Sequence, residues 1–72
     1  MPIVHVNLIE DAFDSKEKQR VIEGITDVFA SIKGEDFRQL VVAVIHEVES
    51  GDVGKGGKLV TLEKVRSLAA TS

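Results

Sequence analysis

The sequence predicts an α+β fold: a single β-α-β unit with two parallel strands and one amphipathic helix, followed by a short C-terminal hairpin and a helical tail. Three observations predict it. Residues 3 to 9 alternate apolar and other side chains with period two, which is the pattern of a strand buried on one face. Residues 21 to 32 carry apolar side chains at helical spacing, and residues 40 to 48 form a second apolar run. One helix crossing between two strands makes them parallel, because antiparallel neighbours need only a tight turn. Seventy-two residues make one domain, 1–72, and a two-stranded sheet with one helix covers only one of its faces. The sheet is therefore expected to be completed by oligomerisation.

The first strand contains Ile3, Val4, His5, Val6, Asn7, Leu8 and Ile9, with Val4, Val6 and Leu8 on the face to be buried. Glu10 to Ser15 turns the chain, and Asp14 with Glu17 forms a D-x-x-E capping box that opens the helix. In that helix Val21, Ile22, Ile25, Val28, Phe29 and Ile32 fall at i, i+1, i+4, i+7, i+8 and i+11, a single apolar stripe. Lys16, Gln19, Glu23, Thr26, Asp27 and Lys33 form the opposite, solvated face. Gly34 after Lys33 reads as a stop, with glycine in a left-handed cap and a cation in the last turn. A polar link from Glu35 to Gln39 leads to the second strand, residues 40–48. It is apolar on both faces until His46 and Glu47, so Val42, Val44 and Val48 need a partner on the side away from the helix.

Residues 50–58 then hold Gly51, Gly54, Gly56 and Gly57, four of the six glycines. Gly51 and Gly56 have the spacing of a phosphate-binding loop, but Gly57 stands where its lysine belongs. A hairpin with positive-φ positions is the better reading. From Thr61 to Ala70 a last helical turn or two packs Leu62, Val65, Leu68 and Ala69 against the body.

Composition narrows the function. The chain is 43% hydrophobic and has no cysteine. A domain this small buries only about 60% of its unfolded surface, and without disulfides or metals, association between copies is the remaining stabiliser. Nine Lys and Arg face twelve Asp and Glu, for a net charge of −3, and three Phe are the only aromatics; a nucleic-acid partner would call for a basic stripe with aromatic interleaving. No stretch has the length or hydropathy of a membrane span or a leader, so the expected location is cytoplasmic and no membrane partner is expected. His5 and His46 lie far apart in sequence without a second ligand nearby. They read as satisfied core or interface histidines, with a proton relay as the alternative and no metal site.

Pro2 has two readings. A strand tolerates proline at its first position, where the missing N–H costs the ladder least. With Met1 removed, the same residue is a secondary amine anchored to a rigid strand. An apolar surround disfavours the cationic form of such an amine and moves its titration toward neutrality, where a proton carrier works best.

The proline after Met1, the β-α-β unit of about sixty residues and the terminal Gly54-Lys55-Gly56-Gly57 turn together resemble the 4-oxalocrotonate tautomerase family, over residues 2 to about 60. The resemblance implies a single tautomerase-like domain. It also implies a cofactor-independent isomerase in which Pro2 is general base and acid of a keto–enol tautomerisation on a small-molecule substrate, and a homohexamer built as a trimer of dimers. Ile3, Ile9, Val48 and Val53 would help form the apolar wall around the amine. Family members acting on dicarboxylates carry an arginine just after the first strand and another early in the second. Ala12 or Phe13, and Val42, occupy those positions here, and Val53 replaces the aromatic residue before the turn. Arg38 is then the candidate substrate-binding cation, with Lys55 and Lys58 as alternatives that also read as surface residues. Wider relatives hydrate, dehalogenate or decarboxylate unsaturated or β-keto acids, for which Glu10, Asp11 and Arg38 are possible helpers. A non-catalytic subunit of a hetero-oligomer is the reading from a different class.

Overall fold

A computed structural model describes residues 1–70, so positions 71 and 72 of the expected domain lie outside the described residues. Strand β1 spans Ile3–Ile9, helix α1 Ser15–Lys33, a 3-10 helix Glu35–Leu40, strand β2 Val42–Val48, strands β3 and β4 Val53–Lys55 and Lys58–Val60, and helix α2 Leu62–Ala70. Strands β1 and β2 pair in parallel from Ile3 with Val42 to Ile9 with Val48. The β-α-β unit, the hairpin and the helical tail are thus all present.

Register and burial assign the two faces of the sheet. Val4, Val6 and Leu8 are half-buried, and their partners are Ala43, Ile45 and Glu47. The Glu47 carboxylate meets the Lys18 ammonium of α1, which puts this face under the helix. The opposite face carries Ile3, His5, Asn7 and Ile9 beside Val42, Val44, His46 and Val48, since side chains alternate along a strand. No described element lies over it in the way that α1 covers the first.

Helix α1 opens as its sequence requires. The Asp14 carboxylate accepts from the Glu17 N–H at 2.8 Å, while the Glu17 carboxylate accepts from the Asp14 N–H at 2.9 Å, satisfying two donors that a helix start would leave orphaned. Along its stripe, Val21, Ile22, Ile25 and Phe29 are half-buried, whereas Val28 and Ile32 are 57% and 69% exposed. The stripe is wider than its cover: two strands span only about 5 Å between axes, less than the breadth of such a helical face. Thr26, expected to be solvated, is half-buried and donates its hydroxyl to the Ile22 carbonyl at 2.8 Å.

Past α1 the chain departs from expectation at three points. Gly34 has φ 102° and ψ 161°, a positive-φ conformation that favours glycine but whose ψ is not that of the left-handed helical cap. Its N–H still donates to the Ala30 carbonyl at 2.8 Å, but its own carbonyl accepts from Phe37 N–H at 3.1 Å, so the chain runs straight into another helical turn. The polar link is therefore a 3-10 helix, closed by Val41 N–H on the Arg38 carbonyl at 3.3 Å. That closure delays β2 to Val42, two residues later than its apolar run begins.

The C-terminal part is an arm. Strands β3 and β4 pair antiparallel across Gly56 and Gly57, at φ 60° and 80°, the pair of positive angles that a type I′ turn demands. Helix α2 is longer than a turn or two, with nine residues. Leu62 and Val65 are half-buried, but Leu68 is 65% exposed and Ala69 is also exposed, so only the first half of its apolar face packs down. Among the described residues, bonds that tie the arm to the body include Gly51 N–H to the Val60 carbonyl at 3.4 Å, Leu62 N–H to Ser50 Oγ at 2.9 Å, and Arg66 Nη2 to the Asp11 carbonyl at 3.4 Å.

Candidate active site

Pro2 sits at the entry to β1 and is half-buried, and its carbonyl accepts the Val42 N–H at 3.0 Å. This bond begins the parallel ladder one residue before the strand proper and holds the proline backbone against the start of β2. The residues around it are apolar: Met1 is 77%, Ile3 58% and Val42 37% exposed.

The other wall residues expected from the sequence stand elsewhere. Ile9 and Val48 are register partners at the far end of the sheet, and the Glu10 N–H caps them by donating to the Val48 carbonyl at 2.8 Å. Val53 opens the hairpin just beyond. Seven residues of strand at about 3.3 Å each put some 20 Å between Pro2 and Ile9. Within one chain, then, Ile3 is the expected wall residue that stays beside Pro2, while Ile9, Val48 and Val53 gather at the opposite end.

Arg38 lies at the Pro2 end, in the 3-10 helix that leads into Val42. Its Nε donates to Glu35 and its Nη1 to Asp27, both at 2.7 Å, and the hydrogen bond to Glu35, then that to Asp27, raises its already high pKa further. Two carboxylates thus occupy the two nitrogens, leaving Nη2 without a protein partner among the described residues. These bonds use two of the five guanidinium N–H donors, one on Nε and one on Nη1, and leave the others for a further partner.

Two arrangements escaped the reading of the sequence. His5 and His46 touch across the strands: Nδ1 of one lies 2.9 Å from Nε2 of the other, with nearly parallel rings. One ring must supply the N–H and the other the lone pair, so the contact lasts while at least one is neutral. Forty-one positions separate them, and only the parallel register could have revealed it. Among the described residues no group of three or more potential metal ligands forms, and no helix is long and apolar enough to cross a membrane. The second arrangement is an open depression of about 440 Å³ shared by Phe13 and Arg20. Glu17 and Val21 complete its lining, so the Arg20 cation there stands beside a carboxylate one helical turn earlier.

Comparison with known proteins bears on the family and the fold. Residues 2–63 match the family described as Tautomerase enzyme. The chain is 31% identical over 67 residues to a probable tautomerase, Cj0270, of Campylobacter jejuni, covering 93% of this chain and 97% of that one. It is 33% identical over 61 residues to probable tautomerase K2 of Dickeya dadantii, covering 85% and 90%. The crystal structure of DmpI from Helicobacter pylori superposes with a TM-score of 0.70 at 28% identity, over 82% of this chain and 95% of that one.

Proposed function

The chain belongs to the tautomerase family, and on that premise we propose that it interconverts keto and enol forms of a small keto acid or unsaturated carbonyl compound, with Pro2 as the proton carrier once Met1 is removed. The observation that carries this reading is Pro2 itself: the family match begins there, and the bond to Val42 fixes its backbone among apolar neighbours. A neutral ring nitrogen takes a proton from the carbon beside the carbonyl, the electron pair moves into the C–C–O system as an enolate, and the proton returns to another atom of that system. No redox step is needed.

The reading includes association. Since Ile9, Val48 and Val53 stand some 20 Å from Pro2 of their own chain by strand rise, they can wall a proline only by reaching that of a second copy. A homo-oligomer, and the hexamer built as a trimer of dimers in particular, supplies such an arrangement. Arg38 then holds the 3-10 helix at the Pro2 end through Asp27 and Glu35, and offers a substrate only the N–H groups that these bonds leave over.

The test is ketonisation of phenylenolpyruvate by chain with verified loss of Met1. Pro2→Ala, or Met1 retained, is expected to lower kcat by about a hundredfold or more, the usual contribution of a positioned general base. Equal rates in all three would take Pro2 out of the mechanism. Arg38→Gln is expected to leave KM largely unchanged; a large rise in KM with kcat preserved would instead make Arg38 a substrate ligand.

A further inference from the structure

The proposed reaction makes no use of the two histidines, yet they stand at the middle of the sheet face that α1 leaves uncovered. They are diagonal neighbours, since His5 pairs with Val44 and His46 with Asn7. Their nitrogens are 2.9 Å apart, with ring centroids 5.2 Å apart and planes 13° apart, which sets Nδ1 of His5 and Nε2 of His46 head to head. That contact holds one hydrogen. A neutral pair supplies it, and a pair with one added proton supplies it with charge assistance. With two added protons both nitrogens carry N–H, and the bond gives way to two like charges.

The surroundings offer the second charge no relief. Apart from Asn7, the face around the pair is aliphatic: Ile3, Ile9, Val42, Val44 and Val48. In β2, Glu47 faces α1 and meets Lys18, while Glu10 and Glu49 come only after the strands end. The terminal amine precedes His5 by three residues or more, about 10 Å by strand rise. The arm reaches the body past the strands as well, at Ser50 and Asp11. Both histidines are exposed in the single chain, where water accommodates either state. Covering the face removes that water, and a doubly charged pair would then be buried without a counter-ion.

We propose that the His5–His46 pair is a proton-operated latch on assembly: a second copy packs on this face while the pair holds one added proton or none, and leaves once it takes two. This rests on the association proposed above, because Ile9 and Val48, which are to reach the Pro2 of a second copy, belong to the same face. The sign follows from proton counting. The separate chain binds more protons than the assembled one, so association strengthens as pH rises through the range where imidazoles titrate and weakens as it falls. One proton per pair changes the association constant by up to about tenfold per pH unit for each copy that packs.

Sedimentation velocity of the full chain at about pH 7.5 and about pH 5, on either side of most of that range, tests it, with far-UV circular dichroism on the same samples. The wild-type chain is expected to be an oligomer at the higher pH and to shift to smaller species at the lower with its helix content kept. His5→Gln and His46→Gln each limit the pair to one charge, so both variants are expected to stay assembled at the lower pH. A wild-type oligomer unchanged between the two, variants that dissociate in parallel with it, variants that assemble at neither pH, or helix lost together with the oligomer would overturn the latch and leave the association standing. A wild-type chain that is monomeric at both would overturn the latch and the association together.

Discussion

Ala30 is the most hidden side chain among the described residues, at 5% exposure. Its place in α1 explains why. It shares the helix with half-buried Phe29 and Thr26, and its carbonyl accepts the Gly34 N–H that closes the helix. At 5% exposure its methyl group has no room beside it, so a longer side chain would have to displace its neighbours. Ala30→Leu is therefore expected to destabilise the fold by about 1–3 kcal/mol, the usual cost of overpacking, read as a lower urea midpoint with an unchanged slope. Little in the sequence singles out Ala30, since alanine scores weakly in any apolar stripe. The larger Val28 and Ile32 stand out by spacing yet end up exposed. Pro2 is different again: its residue type and position were legible at once, whereas its surroundings depended on which end of the sheet each wall residue reached.

At the scale of elements, short-range signals carried most of the information. The Asp14 and Glu17 box opened α1 where expected because both partners lie within one turn. Asp14→Ala is expected to cost about 1 kcal/mol, measured by thermal unfolding, with Asp14→Ser restoring most of the loss. The paired positive φ values at Gly56 and Gly57 likewise follow from a two-residue hairpin loop. What eluded the reading of the sequence was the 3-10 helix over Glu35–Leu40. Its residues have no apolar period, and it begins where Gly34, at positive φ, hands its carbonyl to Phe37. That helix positions Arg38 against Asp27, eleven residues earlier, so the candidate substrate cation also ties the two helices together.

The whole molecule is loosely gathered. Its radius of gyration is 14.8 Å, where a compact 72-residue domain would have about 11 Å. Its surface of 5551 Å² is about a quarter larger than expected for a folded monomer of its mass. Both edges of the β1–β2 sheet are unpaired within the described chain, and its outer face presents Ile3 and Val42 to solvent. Open edges and apolar faces of this kind invite pairing with other copies. Sedimentation velocity is expected to find an oligomer that persists on dilution. Ile3→Glu and Val42→Glu are each expected to shift it toward smaller species, and a stable monomer of wild-type chain would contradict the assembly.

By itself the sequence determined the strands, the two α-helices, their order and the parallel pairing, though not the 3-10 helix between them, because alternation, helical spacing, caps and glycine turns act over a few residues. It also placed a proline where a processed chain would present an amine. Only the tertiary structure decided which residues meet. A parallel crossover returns β2 to the end where β1 began, so Pro2 lies beside Val42 and Arg38 while Ile9, Val48 and the hairpin collect a strand length away. The same geometry set His5 against His46. Distances of that kind arise from pairing between remote segments, and no local spacing records them.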